Sequence, residues 1–186
     1  MAFPTGWSGY WEVTFDAADI DAAPGIAYIP LSGAPASFWT ALSASGDTTG
    51  RSIRVSDQSN NLIPAYVASI DTGTSTGALF CLGTGISTSV DTVYRVWGGG
   101  SASAPAVTDP EGRNACFANY AGFYLPGVTL TDLTGNGRDL TAVNAPGTAA
   151  SGYEGIDAAT YNGSSQYHRY SGTQGVTNWP LTLETL

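Results

Sequence analysis

The residues of this chain that come closest to a known chemistry lie in the segment DLTGNGRD, residues 132–139. Asp132, Thr134, Asn136 and Asp139 present side-chain oxygens at nearly alternate positions around two glycines, which loosely matches a calcium loop. Calcium takes about six to eight oxygen ligands and usually a bidentate acid at a fixed spacing. Because the D-x-D-G spacing and a terminal Glu are absent, the segment is predicted to be a Gly-Asn-Gly turn joining two strands. No metal site is predicted, and calcium in this loop stays an open alternative.

Catalytic patterns are not found in the sequence. A glycosidase needs carboxylates that flank one bond, whereas Glu154, Asp157 and Glu184 are scattered along the chain. His168 is the only histidine and has no neighbouring nucleophile motif, which argues against a catalytic triad and against a histidine-rich zinc site. We therefore predict that the chain is not an enzyme and takes no cofactor.

Aromatic residues are the other side chains suited to binding. Tyr167, Tyr170 and Trp179 could form a stacking platform for a glycan, because an aromatic face combines apolar area with a polar rim. Such residues more often fill a core or a contact between subunits, so both interpretations stay open.

The charge of the chain excludes some partners. Fifteen acidic residues stand against six arginines and no lysine, which gives a formal net charge of −9. Nucleic acid is therefore not a predicted partner, because phosphate binding needs a basic footprint. No window approaches the roughly 18 apolar residues of a membrane helix, and the opening MAFPTGWSGYW lacks the features of a signal peptide. We predict a soluble chain that is made in the cytoplasm and contacts no membrane.

The elements that must position these residues are predicted to be strands. Residues 50–67, GRSIRVSDQSNNLIPAYV, contain two alternating runs around a turn-forming centre from Asp57 to Asn61, the pattern of a β-hairpin. Pro64 has no backbone N–H to donate to a neighbouring strand, so the second strand is expected to lie at a sheet edge or to contain a bulge. The runs WEVTF, IAYIPL, ALFCLG and TVYRVWG predict further strands, with IAYIPL buried on both faces. One short helix is predicted within residues 35–44, and the fold class is all-β.

The second half of the chain has a different character. The run GGGSASAP at 98–105 is a composition break that predicts a domain boundary. It is followed by a predicted long aromatic strand from Cys116 to Leu125, a loop and strand within residues 131–144 and a strand around Ala159 and Tyr161. An aromatic patch of Tyr167, His168 and Tyr170 comes next. The last residues, WPLTLETL, begin one more strand pattern, so the chain is either cut short or ends in a true terminal strand.

The two cysteines, Cys81 and Cys116, each lie in an apolar run. Free cysteine behaves as a small hydrophobic residue in such surroundings. Two buried thiols are therefore predicted in preference to one disulfide.

The hairpin and the strands after it resemble a known family. Residues 50–99 resemble a small all-β domain of unknown function whose relatives carry an IR-x-x-D … LP-x-Y/F hairpin and end in a strand before a glycine. The motif positions of this chain fall in the ranges 53–57, 62–66, 78–82 and 93–98, except that Ile63 separates Leu62 from Pro64. The opening MAFPTGW is similar to the start of phage virion proteins, tail fibres and head spikes among them, that carry this domain.

In that family the domain is commonly followed by a laminin-G or concanavalin-A-like jelly roll. The segments DPEGRNACFANYAGFYLPG, DLTGNGRDLTAVNAP and YNGSSQYHRY are similar to its opening third. The resemblance implies an extended arm over residues 1–10, an antiparallel β-sandwich attachment domain over 11–98, a linker over 99–105 and an incomplete jelly roll over 106–186.

The resemblance also implies a function. It points to a structural component of a phage particle, a tail fibre or a head spike or decoration protein, that docks on the virion and presents a β domain towards the host surface. The implied partners are other virion proteins, further copies in a homo-oligomer, often a trimer, and a host-surface glycan. Trp7, Trp11 and Trp97 are candidate interface anchors, since aromatic residues dominate contact energies. The alternative is a carbohydrate-binding module of a bacterial surface protein.

Overall fold

The structure, a computed structural model, describes residues 6–7, 9–22, 25–101 and 103–172. Within these ranges the chain is mostly β, and the pairings between its strands are antiparallel. The predicted β-rich class is therefore confirmed. In the same ranges no helix is long and apolar enough to span a membrane.

The described residues of the first half form two sheets, one α-helix and two short 3-10 helices, Ala17–Asp19 and Leu31–Gly33. Its strands are β1 (Gly9–Phe15), β2 (Ile26–Pro30), β3 (Arg54–Ser56), β4 (Leu62–Ile63), β5 (Ala65–Asp71), β6 (Thr76–Leu82) and β7 (Thr92–Gly98), and its helix is α1 (Ala36–Ala44). The first sheet has the order β1-β7-β3-β4, and the second has the order β2-β6-β5. Each predicted strand run of this half contributes a strand, and the predicted helix is present.

The predicted hairpin is present, and its proline marks a change of sheet. Val55 of β3 pairs with Ile63 of β4, and the carboxylate of Asp57 closes the turn by accepting hydrogen bonds from the main-chain N–H and the side-chain amide of Asn61, at 2.8 and 2.7 Å. After Pro64 the chain leaves the first sheet and pairs with β6 as β5. The expectation that this strand lies at an edge is confirmed, since β4 ends the first sheet.

Side chains from both sheets and from α1 meet in a first core cluster. Its buried members include Ile29 and Leu79 of the second sheet, Val55 and Val96 of the first, and Leu42 of α1. The alternation of β1 places Trp11, Val13 and Phe15 against this cluster and leaves Glu12 and Thr14 exposed. Amphipathic strands of this kind stabilise a fold chiefly by removing apolar area from water.

The second half forms short elements and two-stranded sheets. Its elements are α2 (Arg113–Cys116), β8 (Thr141–Val143), β9 (Gly147–Ala150), β10 (Asp157–Thr160) and β11 (Tyr167–Arg169). Strand β10 pairs with β9, and β11 pairs with β8. The strands predicted within residues 131–144 and around Ala159 are therefore present as β8 and β10, whereas β11 was not predicted as a strand. Residues 179–186 lie outside the described part of the chain.

The predicted aromatic strand from Cys116 to Leu125 is wrong. Cys116 ends the helical turn α2, and a turn follows in which the N–H of Tyr120 donates to the carbonyl of Phe117 at 3.1 Å. The rings of Phe117 and Phe123 stack with centroids 4.3 Å apart on the same side of the chain. A strand would alternate its side chains between two faces, whereas here the aromatic residues converge on a single apolar surface.

That surface is the outer face of the second sheet, where a second core cluster forms. Phe80 of β6 is 1% exposed and lies within ring contact of Phe117, Phe123 and Tyr153. The cluster joins residues on both sides of the segment 99–105, and the division of the chain into domains there stays a prediction. The second sheet packs against a cluster on each face. The expectation that β2 is buried on both sides holds fully for the face of Ala27 and Ile29 and in part for the face of Ile26 and Tyr28, which are half-buried.

Glu154 joins the second half of the chain to the second sheet through hydrogen bonds. Its carboxylate accepts hydrogen bonds from the N–H of Ser32 at 3.0 Å, from the N–H of Gly77 at 2.9 Å and from the hydroxyl of Ser32. Its own N–H donates to the hydroxyl of Tyr28 at 3.0 Å. Burial acts to raise the pKa of Glu154, but the hydrogen bonds from Gly77 and Ser32 outweigh it, so the pKa lies below its ordinary value.

Both cysteines are free and buried, as predicted. Burial raises the pKa of Cys81 to about 12 and also raises that of Cys116. Since the thiolate is the reactive form, we expect neither thiol to react with a thiol reagent at pH 8 in the native state and both to react after denaturation. A Thr88→Cys variant, with its new thiol at an exposed position, serves as the reactive control. Rapid native labelling of Cys81 or Cys116 would contradict their placement in the cores.

Candidate binding surfaces

The outer face of the first sheet carries a group of aromatic and charged side chains, here called the outer strip: Tyr10 and Glu12, which are exposed, and Arg95 and Trp97, which are half-buried. The register of β1 with β7 places Tyr10 opposite Trp97 and Glu12 opposite Arg95. The rings of Tyr10 and Trp97 lie with centroids 4.5 Å apart. Arg95 lies 5.0 Å from the ring centroid of Tyr10 and forms an ion pair with Glu12 at 3.1 Å. The strip therefore joins an aromatic pair to a balanced pair of charges.

The outer strip has the side-chain types of a protein contact. Tyr10 is 45% exposed, and the indole N–H of Trp97 is held by the hydroxyl of Ser56 at 2.9 Å. Tyrosine, tryptophan and arginine are the residues that most often dominate contact energies. Trp97 is held by its hydrogen bond to Ser56 and Arg95 by its ion pair with Glu12, so less side-chain freedom is lost when a partner covers these residues.

The structure separates the three tryptophans that the sequence proposes as anchors. Trp97 belongs to the outer strip, whereas Trp11 points inwards and packs against Phe38 at 6.4 Å between ring centroids. The indole N–H of Trp7 donates to the carbonyl of Ser52 at 2.6 Å. Trp97 lies beside the exposed ring of Tyr10.

Tyr10 was missed as a site residue, although the sequence contains its signal. In the alternating run that begins at Gly9, Trp11, Val13 and Phe15 face the core, so Tyr10 shares the outward phase of Glu12. Its pairing with Trp97, however, depends on the register between two strands far apart in sequence. That register has no local signal.

The tyrosines proposed for glycan stacking lie in and next to β11. Tyr167 is 46% exposed and Tyr170 is half-buried, while Trp179 lies outside the described residues. A second exposed tyrosine, Tyr161, contacts the ring of His168 and shares a 2.8 Å hydrogen bond with its Nδ1. Among the described residues no ring contact joins Tyr167 to Tyr170, so a platform would need a further aromatic residue.

The loop at residues 132–139 forms the predicted Gly-Asn-Gly turn, with Gly135 and Gly137 at positive φ. It does not join two strands as predicted, because β8 follows it but the described residues between β7 and the loop contain no strand. Asp132 is 2% exposed, and its carboxylate accepts hydrogen bonds from the N–H and hydroxyl of Thr134 and from the N–H of Arg138. The carboxylate of Asp139 accepts from the N–H of Asp132 at 2.8 Å. Both carboxylates are therefore bound to donors of the loop itself. The described residues contain no group of three or more His, Cys, Asp or Glu side chains arranged to hold a metal ion.

The acidic residues weighed for glycoside hydrolysis are not brought together. Glu154 is bound to Ser32 and Gly77, Asp157 begins β10, and Glu184 lies outside the described ranges. The absence of enzymatic activity stays a prediction.

Comparison with known proteins adds no relative: no protein-family model, no curated protein and no solved structure matches the chain. A function is therefore inferred from the surfaces of the molecule and from the motif resemblance.

Proposed function

We propose that the chain is a structural component of a phage particle, either part of a tail fibre or a head spike or decoration protein, which docks on the virion and directs a β domain towards the host surface. The observation that carries this proposal is the resemblance of residues 50–99, together with the opening MAFPTGW, to virion proteins. An acidic composition without lysine, which suits a particle surface exposed to the medium, supports it. The protein would be made in the host cytoplasm and would reside in the virion.

A finer description of the fold belongs to the same proposal. We propose that the two sheets around the first core cluster form a β-sandwich that serves as the attachment domain. The support is that buried side chains of both sheets share that cluster. The two-stranded sheets formed by β8 to β11 would then be the first strands of a jelly roll.

The outer strip is the surface that we assign to contact between copies of this chain in a homo-oligomer, a trimer by resemblance. Each copy carries a formal charge of −9, so contact is favoured where charge is balanced, as it is between Glu12 and Arg95. The aromatic pair Tyr10 and Trp97 would supply the apolar centre of a contact that typically covers about 800 Å² per partner. Other virion proteins would bind the assembled oligomer.

A Tyr10→Ser substitution is expected to weaken self-association by at least about tenfold, because it removes an exposed anchor of the outer strip. Folding should change by less than about 1 kcal/mol, since the side chain is half exposed. Light scattering after size-exclusion chromatography measures the oligomer, and Tyr167→Ser, which removes a tyrosine of similar exposure elsewhere, is the matched control. A wild-type chain that stays monomeric at high concentration would contradict this assignment.

Immunogold electron microscopy tests the location. Antibodies against the purified chain should decorate phage particles that encode it, and the position of the gold separates a tail fibre from a head spike or decoration protein. Gold confined to cell debris would argue against a virion role.

A carbohydrate-binding module is the second candidate, favoured by the exposure of Tyr161 and Tyr167. Saturable binding of a host polysaccharide by this chain, lost in Tyr167→Ala, would support the module. Failure of a glycan array to show any binding would count against it.

A further inference from the structure

A cavity of about 380 Å³ lies between the start of β5 and the segment 104–113. Three of the six basic residues of the chain, Arg51, Arg54 and Arg113, line it, and Glu111 is the one acidic residue among its lining. Three guanidinium groups against one carboxylate give the lining a formal charge of +2 in a chain whose net charge is −9. The cavity therefore concentrates positive charge that the rest of the molecule lacks.

Arg54 is the buried member of this group, at 8% exposed. Its guanidinium donates to the carbonyls of Arg51 and Ile53 at 2.9 and 2.8 Å and to the carbonyl of Ser103 at 2.7 Å. A guanidinium has more N–H donors than these three bonds use. The guanidinium carbon also lies 5.6 Å from the ring centroid of Trp7, but among the described residues no carboxylate lies within ion-pair distance of Arg54. A buried cation without an anionic partner is costly.

The nearby carboxylates do not fill that role. The carboxylate of Asp47 accepts from the N–H of Ser52 at 2.7 Å and from its hydroxyl at 2.6 Å, and that of Asp109 accepts from the N–H of Ala106 at 2.7 Å. The carboxylates of Asp47 and Asp109 thus accept hydrogen bonds from residues of their own turns. Glu111 contributes its main-chain carbonyl to the N–H of Ala65, and its side chain makes no hydrogen bond within the described ranges.

The other two arginines also keep free donors. Arg113 contacts the side-chain oxygen of Asn114 through Nε and Nη2, at 3.3 and 3.2 Å, which leaves its Nη1 group unused. Arg51 is exposed, and its side chain makes no hydrogen bond to a described residue. The remaining wall of the cavity is largely apolar and includes the partly buried residues Ile63, Ala65 and Val67.

We propose that this cavity binds an organic carboxylate, with the anionic group among the three guanidinium groups and an apolar body against Ile63, Ala65 and Val67. Guanidinium groups bind carboxylates with paired, charge-assisted hydrogen bonds. The volume suits a ligand of one or two amino-acid residues. The carboxylate could belong to the end of a polypeptide chain or to an acidic side chain. The site is independent of the outer strip and of the proposed attachment.

The test is a calorimetric titration of the full chain with four probes. N-acetyl-leucine carries a chain-end carboxylate on an apolar body, and N-acetyl-leucinamide is its neutral match. The α-amide of N-acetyl-glutamate carries a side-chain carboxylate, and inorganic phosphate is an anion without an apolar body. We expect saturable binding of one or both carboxylates, and their ratio identifies the source. Equal binding of the leucinamide, tighter binding of phosphate, or no saturable binding of either carboxylate would overturn the proposal.

Substitutions distinguish binding at this cavity from a general attraction to the positive charges of the chain. Glu111→Gln removes the competing carboxylate and should tighten carboxylate binding several-fold, an effect that misfolding cannot produce. Arg113→Gln should weaken it about tenfold, because it removes a charge-assisted hydrogen bond. Arg169→Gln, which removes an exposed arginine of β11 away from the cavity, should leave binding unchanged. Equal weakening by Arg113→Gln and Arg169→Gln would also overturn the site.

Discussion

A Phe80→Ala variant is expected to lose about 3–5 kcal/mol of unfolding free energy, the range for removing a fully buried phenylalanine. Phe80 is 1% exposed and lies at the centre of the second core cluster. Its ring contacts Tyr28 of the second sheet and three aromatic residues of the second half, Phe117, Phe123 and Tyr153. The cavity left by the ring would lie where the two halves of the chain meet.

Urea denaturation, monitored by circular dichroism, measures this loss of unfolding free energy. The total stability of a domain is about 5–15 kcal/mol, so Phe80→Ala would leave little reserve. Tyr167→Ala, at a half-exposed position of β11, is the control and should change stability by no more than about 0.5 kcal/mol. Equal stability of Phe80→Ala and wild type would mean that the second half does not pack on the second sheet as described.

The second large effect is expected at Glu154. A Glu154→Ala substitution should cost about 2 kcal/mol at neutral pH, because the N–H groups of Ser32 and Gly77 lose a charged acceptor. This free-energy cost lies towards the lower end of the range for charged hydrogen bonds, because Glu154 is half-buried and partly screened by solvent. Asp157→Ala, which removes an exposed carboxylate three positions later, should have almost no effect.

The contribution of Glu154 should depend on pH in a fixed direction. The hydrogen bonds from Gly77 and Ser32 overcome the effect of burial and hold its pKa below the ordinary value of 4.5. A carboxylate whose pKa is lowered by folding stabilises the fold above the unfolded pKa, and the stabilisation is lost as the pH falls through the folded pKa. The stability difference between wild type and Glu154→Ala should therefore be full above about pH 5 and shrink below pH 4.5. A difference that grows on acidification would contradict the assigned hydrogen bonds.

Asp47 and Asp132 use their carboxylates in the same way. Each is almost fully buried, and each accepts main-chain N–H donors from a loop with few side chains to pack. Burial acts to raise both pKa values, and the hydrogen bonds outweigh it, so both are lowered. The acidic character of the chain is thus partly internal, and the fold as a whole should weaken as the pH falls below the ordinary carboxyl range.

Period-two alternation in the sequence predicted strands such as β1, because one face of such a strand meets a core and the other meets solvent. The strand β6, which meets a core on both faces, was predicted from a continuous apolar run. The hairpin at Asp57 and the edge role of Pro64 followed from local turn and ladder chemistry. That β4 and β5 belong to different sheets could not be predicted in the same way, because it depends on which distant strand each one pairs with.

The second half was less predictable for a physical reason. Phe117 and Phe123 looked like strand residues because aromatic side chains favour strands, yet they stack on Phe80 from a turn. Glu154 and Arg54 carried no local signal either, since their partners lie far away in sequence or are main-chain groups. Burial of a charged residue is decided by tertiary contacts.

Quantitative mass spectrometry of gradient-purified phage particles tests the proposed role most directly. If the chain is a structural component, its peptides should remain with the particles through successive gradients at a constant ratio to the major capsid protein. Peptides that stay in the soluble lysate, or whose ratio to the capsid protein falls with each purification step, would contradict the proposal.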